Sequence, residues 1–390
     1  MVSRVTGPPT PLTIGIDAGP LLGHGGISGY VGPLVRALLA LDPGSRYRLV
    51  LRRGWLGHPD AGALGRLAPV IRVGIPDRIL AFWWDRLGWT LPVARDVWHR
   101  LDLFLATCLV APRLPQGRVV SIVYDLIPMR LPALFPDRNR FREAVERVVR
   151  RSAALIAISR RTREDLIELL GVDPGRVHVI YPGRGEAFRP VPAAEAAAVA
   201  GRYGIRGRYI LYVGALGPHK NVATLLVAYQ RARLEGGLGV RLVVAGSPRW
   251  GAHVLALLET LRVRDEVTLT GPVPAADLPA MYAGADCFVF PSRYEGFGLP
   301  VLEAMACGTP VITSDRGALP EVGGEAAIVV DPEDPAALAA AMCRVAGDAD
   351  LRARLAAAGL AQSARFSWTQ SAADLLGLFR AVAGERRGRG

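Results

Sequence analysis

The feature that most narrows the fold is a repeated alternation of short apolar runs with stretches of helical spacing. Leu12-Thr-Ile-Gly-Ile16 opens the series, and Tyr47–Leu51, Leu103–Ala106, Val119–Val123, Leu155–Ile158 and Val177–Ile180 follow. Between them, Tyr30, Leu34, Ala37, Leu38 and Leu39 share a helical face, and segments near 138–150 and 160–170 are helix-compatible. Strands alternating with helices predict an α/β chain with a parallel sheet wrapped on both faces. The Pro- and Gly-rich stretch Tyr181–Pro192 breaks this rhythm and reads as a linker. The alternation then restarts, with strands at Tyr209–Val213, Leu242–Ala245, Val267–Thr270, 286–290 and near 311 and 328. Helices are expected from about Asn221, over 253–262 and from 299. The pattern predicts two Rossmann-like, doubly wound domains, 1–190 and 191–366. Residues 367–384 follow as a last helix opened by a Ser367/Gln370 capping box, and 385–390 as a disordered tail. Two such domains face each other across a cleft at the carboxyl ends of their strands.

Composition removes several function classes. No apolar run is long enough to span a bilayer, and the first residues lack a secretory apolar core. Cys108, Cys287, Cys307 and Cys343 show no metal or paired spacing, and three of them read as buried in strands or helices. A reducing, cytoplasmic compartment follows. The net charge of +12 suits an anionic partner, but no nucleic-acid module is present. Peripheral contact with an acidic inner membrane face is the expected use of that charge. Trp83, Trp84, Trp89 and Trp98 cluster in the first domain, where core packing is the expected role over an acceptor groove or a membrane contact.

The densest chemical signal lies between Asp286 and Val311. An apolar strand gives way to Ser292-Arg-Tyr-Glu-Gly-Phe-Gly-Leu-Pro300, and Pro300 opens a helix that Gly308 and Pro310 stop. The N-terminus of such a helix, beside the carboxyl end of a strand, favours an anion. Glu295 falls in the loop and Glu303 one turn into the helix, where carboxylates suit sugar hydroxyls. Lys220 is the only lysine in the chain. It follows a strand and precedes a helix, a position that opposes the helix dipole and therefore calls for a bound anion such as a diphosphate. The loop Gly23-His-Gly-Gly-Ile-Ser-Gly-Tyr30 resembles a phosphate cradle but departs from the dinucleotide pattern.

Together, Tyr-Val-Gly…Pro-His-Lys-Asn221, the run Phe290–Ile312, Leu319-Pro-Glu-Val322, Gly-Gly-Ile-Ser-Gly-Tyr30 and Tyr124-Asp-Leu-Ile-Pro128 resemble the retaining glycosyltransferases of family 4, with the GT-B fold. The resemblance spans nearly the whole chain. It implies that Glu303 binds the nucleotide ribose, and that Glu295 with Gly296, Phe297, Gly298 and Leu299 holds the donor sugar. Lys220 and His219 meet the diphosphate, Gly25 and Gly26 cover the phosphates, and Val273 lies near the base. Tyr124 and Asp125 face the reacting sugar, and the last helix returns to the first domain. It also implies no cofactor, with the nucleotide-sugar as co-substrate, and no metal; the one Asp-x-Asp, Asp348 and Asp350, is far from these motifs. The expected partners are a nucleotide-sugar, GDP-mannose first, and a glycan or lipid-linked acceptor in surface polysaccharide synthesis.

Two departures stand out. Ala215 occupies a position where the family often carries an arginine, and Tyr124 one where it often carries a histidine. They keep a non-catalytic sugar-nucleotide-binding protein as an alternative. A glycoside hydrolase using Glu295 and Glu303 leaves Lys220 without a role. Ser159 reads as a helix cap as readily as a site residue.

Overall fold

The computed structural model describes residues 11–23, 25–76, 79, 100–114, 118–246 and 251–387. It contains two parallel sheets. The first orders its seven strands β3-β2-β1-β4-β5-β6-β7, with β1 at Thr13–Asp17, β2 at Arg46–Arg52, β3 at Val70–Val73, β4 at Leu103–Ala106, β5 at Arg118–Val123, β6 at Ala154–Ala157 and β7 at Val177–Val179. The second orders six, β10-β9-β8-β11-β12-β13, with β8 at Tyr209–Val213, β9 at Arg241–Ala245, β10 at Val267–Gly271, β11 at Cys287–Phe290, β12 at Val311–Ser314 and β13 at Ala327–Val330. Both orders reverse once, beside β1/β4 and β8/β11. That reversal opens the crevice in which doubly wound sheets hold ligands.

Helices cover both faces, so central strands are apolar throughout rather than alternating. Every residue of β4 and β11 is buried. The edge strand β3, Val-Ile-Arg-Val, escapes sequence reading because it is short and half-exposed. The helix Ala193–Arg202 directly after the proline-rich linker escapes it for a different reason, since alanine alone carries little periodic signal.

The last helix spans Trp368–Arg387, beyond the expected end at 384; residues 388–390 lie outside the described residues. It packs back on the first domain. Trp368 meets the ring of Tyr30 edge-on at 5.6 Å, Ser371 donates to the Tyr181 carbonyl at 2.6 Å, and Ala372, Leu375 and Phe379 are buried. Only half of the expected capping box forms. Gln370 N–H approaches Ser367 Oγ at 3.5 Å, but the Gln370 side chain bonds Asp374 instead of reaching back. Of the cysteines, Cys287 and Cys307 are buried, Cys108 and Cys343 only partly, and all four are free thiols. The tryptophan cluster Trp83–Trp98 lies outside the described residues. Among the described residues, no helix is long and apolar enough to cross a membrane.

Candidate active site

The turn after β11 brings most of the expected groups together. Gly298 takes φ +103°, which a side chain would resist, and starts the helix Leu299–Ala306. Glu295, at the start of the turn, is 7% exposed. Lys220 ends a short 3-10 turn after β8 and donates to both Glu295 oxygens, at 2.7 and 2.9 Å. The same ammonium sits 5.2 Å from the centre of the Phe290 ring. A partly buried ammonium therefore stands at the mouth of a helix N-terminus, held ready by a carboxylate.

Glu303 lies one turn into that helix and accepts a hydrogen bond from the Tyr282 hydroxyl at 3.1 Å. Burial pushes its carboxyl up to about 7, with the Tyr282 bond opposing. Asp125 follows β5 from the other domain, and its Oδ1 accepts from the Ile127 N–H at 3.0 Å. Burial raises this carboxyl to about 6; the Ile127 bond opposes, and the nearby charge of Glu295 adds to the rise. His219 is held below its ordinary range by burial, and its Nδ1 is buried with no hydrogen-bond partner among the described residues. Burial therefore disfavours the charged imidazolium here, while the nearby charge of Glu295 opposes that shift.

Ala215 itself is exposed. With Val213, Gly214, Ala245, Gly246, Pro272, Val273 and Leu278 it lines a recess of about 220 Å³ at the carboxyl ends of β8, β9 and β10. The recess is apolar and shallow, a shape that suits a planar ring.

The two domains meet directly beneath these groups. A Cβ on Gly296 would collide with the Tyr124 carbonyl and crowd the Asp125 side chain, so only glycine permits this approach. Thr162 Oγ1 lies 3.3 Å from the carbonyl oxygens of both Tyr124 and Gly296. Tyr294 donates to Asp165 Oδ2 at 2.6 Å, and Asp165 also receives Arg130 and Arg161. Glu321 of the second domain accepts from the backbone N–H groups of Arg160 and Arg161, at the start of the helix Arg160–Leu170, and from the Tyr181 hydroxyl. A carboxylate from one domain thereby caps a helix of the other. Ser159 is that helix's N-cap, accepting from the Thr162 N–H at 3.0 Å.

Not every expected residue points into the cleft. The Tyr124 hydroxyl donates to the Thr107 carbonyl at 2.8 Å and its ring packs edge-on against Tyr30, so its side chain is committed inside the first domain. Gly25 and Gly26 open the helix Gly26–Leu41 with free space where a Cβ would stand, while Gly29 on that helix lies near Leu299. His24 in the same loop lies outside the described residues. Asp348 is a helix cap, accepting from Leu351 N–H. Tyr282 was not legible as a site residue, and Tyr294 and Glu321 fall inside the motifs Phe290–Ile312 and Leu319–Val322 but their partners were not legible. Tyr282 lies 21 positions from its partner Glu303, and only the fold joins them.

A family model described as Glycosyl transferases group 1 matches residues 204–362, and one described as Glycosyltransferase Family 4 matches residues 24–184. The chain is 34% identical over 300 residues to O-antigen chain mannosyltransferase B of Escherichia coli, covering 76% of this chain and 77% of that one. It is 36% identical over 260 residues to D-inositol 3-phosphate glycosyltransferase of Xylanimonas cellulosilytica, covering 62% and 60%. Among solved structures, sucrose-phosphate synthase from Thermosynechococcus elongatus superposes with a TM-score of 0.77 at 22% identity, covering 96% of this chain and 100% of that one. Anabaena HepE in complex with UDP and glucose superposes with a TM-score of 0.73 at 19% identity, covering 95% and 99%. At these identities the two structures show the shared GT-B fold alone.

Proposed function

This chain belongs to glycosyltransferase family 4, and from that premise we propose that it moves a mannosyl group from GDP-mannose, with retention at the anomeric carbon, to a glycan or lipid-linked acceptor in surface polysaccharide synthesis. That it is a glycosyltransferase rests on its relatives; donor, acceptor and stereochemistry are the proposal. The observation that carries the site assignment is the Lys220–Glu295 pair at the N-terminus of the helix Leu299–Ala306. On donor binding the diphosphate takes Lys220 and the free N–H groups of the turn, and Glu295 is released toward the sugar hydroxyls. Glu303 accepts from the ribose, and the recess at Val213–Ala215 and Val273 receives the base. The bond from the anomeric carbon to the diphosphate oxygen breaks while the acceptor hydroxyl attacks the same face, and its proton passes to the leaving diphosphate. Fixed charges and dipoles lower that barrier without a protein nucleophile. Asp125 stands beside Glu295 across the domain contact, where its carboxyl orients a hydroxyl of donor or acceptor. No cofactor has a part in this scheme, and Lys220 rather than a metal balances the leaving group.

Thermal-shift binding of GDP, UDP, ADP and their sugar conjugates tests the reading, with Lys220→Ala alongside. Stabilisation by GDP-mannose and GDP that Lys220→Ala abolishes is the expected result. Stabilisation by a uridine or adenosine nucleotide alone overturns the donor, and no stabilisation of the folded wild type by any of them overturns the site.

A further inference from the structure

Tyr282 uses its hydroxyl differently from the other buried tyrosines of the second domain. Tyr209, Tyr212 and Tyr229 donate to the backbone carbonyls of Met281, Ala215 and Val240, which is all that a buried phenol requires. Tyr282, fully buried, donates instead to Glu303 Oε2 at 3.1 Å. Among the described residues no hydrogen bond reaches the other oxygen, Oε1. The helix Leu278–Ala283 that carries Tyr282 also lines the apolar recess with Leu278, one turn earlier on the same face. One helix thus serves both the hollow for a planar ring and the carboxylate beside it.

The phenol is firmly held. Its ring meets Phe288 edge-on at 5.3 Å and Phe188 at 6.0 Å. Thr309, just past the helix Leu299–Ala306, donates to the Tyr282 carbonyl at 2.7 Å, which ties the two helices together. Glu303 has a longer stem with more rotamers to lose, so a fixed donor on one oxygen sets the direction of the other. Donation to a carboxylate also favours its ionised form, against the burial that raises it. The other titratable groups that act on the pair are Cys307, on the helix C-terminus below Glu303, and Tyr212 of β8. Burial pushes Cys307 up to about 12 and raises Tyr212 well above its ordinary range, so neither ionises between about pH 6 and 9.

We propose that Tyr282 is a positioning residue for nucleotide binding, holding one oxygen of Glu303 so that the other faces a ribose hydroxyl while the base lies against Leu278. The inference rests on the donor reading above. It is tested on the full chain by calorimetry with GDP, UDP and ADP, since a ribose contact serves any base. Tyr282→Phe keeps the packed ring and removes only the hydroxyl. It is expected to weaken binding about tenfold at pH 7, as loss of one bond to a charged acceptor implies. The ratio of variant to wild-type Kd should shrink as the pH is raised to about 9, where Glu303 ionises without the phenol. Taking the ratio cancels the titration of the nucleotide phosphates, Asp125 and His219, which both proteins share. In a Glu303→Ala background the same substitution should change Kd by less than about twofold, because its effect passes through the carboxylate. A merely structural tyrosine would instead weaken binding equally in both backgrounds and at every pH; that result overturns the proposal and leaves the donor reading standing. No binding of any of the three nucleotides by the folded wild type overturns the donor reading and this inference with it.

Discussion

The two domains share a topology and differ in how they carry chemistry. In the second, Lys220 and Glu295 lie on two adjacent strand–helix connections and Glu303 on the helix that follows, and they contact one another or their own domain. In the first, Asp125 stands alone at a strand end, the Tyr124 hydroxyl is turned inward to Thr107, and Gly25 and Gly26 offer empty space. A half that grips a phosphorylated ligand needs fixed charge. A half that only closes over it needs shape. The contrast predicts that substitutions of the charged groups of the second domain remove binding and catalysis together, whereas those at the contact between the halves act through closure.

The largest effect is expected from Lys220→Ala. Removing the one ammonium at the leaving group should lower the transfer rate by about 10²–10³, in the range seen when a preorganised charge is deleted. It also strands Glu295, so a destabilisation of about 3 kcal/mol is expected, partly relieved in Lys220→Ala/Glu295→Ala without recovery of activity. Denaturant melts and single-turnover rates read both. A rate within a few-fold of wild type would remove Lys220 from the chemistry.

Glu303→Gln separates function from stability. The native carboxyl is raised from its ordinary 4.5 to about 7, so the folded state holds the proton more tightly than the unfolded one. That contribution is complete below about 4.5 and declines as the pH rises through 7. The glutamine variant should therefore match wild type near pH 4 and be more stable by about 1–3 kcal/mol at pH 8. Its affinity for nucleotide should fall by about tenfold or more, since a ribose hydroxyl loses a charged acceptor. Melting curves at both pH values check the sign, and a destabilised variant at pH 8 would contradict it.

Gly296→Ala attacks the contact between the halves. The new methyl meets the Tyr124 backbone, which cannot swing aside as a side chain would, at a cost of about 1–3 kcal/mol. Transfer should fall far more than nucleotide binding, because the proposed nucleotide site lies in one domain; parallel losses would refute the division of labour. A smaller gain is expected from Ala215→Arg. This returns a second cation to the exposed rim of the recess and should tighten nucleoside diphosphate binding by several-fold, measured by calorimetry. Smallest of all, Tyr124→Phe should cost about 1 kcal/mol of stability for the lost bond to Thr107 and leave the transfer rate nearly unchanged.

Much of the fold was readable because parallel strands buried on both faces are short apolar runs, and nearly every one lies within a residue or two of its expected place. Lys220, Glu295 and Glu303 were readable for a related reason: each sits on a strand–helix connection or in the first turns of the helix that follows, and local glycines and prolines announce it. What escaped the sequence depends on distant pairing. Nothing near Tyr282 marks it as the partner of Glu303, and nothing near Glu321 marks it as the cap of a helix in the other domain. Tyr124 shows the converse. Its position in the chain suggested a place in the cleft, but the packing of Tyr30 and the Thr107 carbonyl decide where its ring goes.

The lone lysine has a practical consequence. Because every other basic side chain except histidine is a guanidinium, the chain carries a single ε-amine, and that amine is 18% exposed and paired with Glu295. An amine-selective acylating reagent therefore has one side-chain target in the whole molecule. On the proposed donor reading, filling the cleft slows this modification, and mass spectrometry reads the change with the α-amine as the one other amine target. The reporter group is already in place at the point where the proposed leaving group would rest.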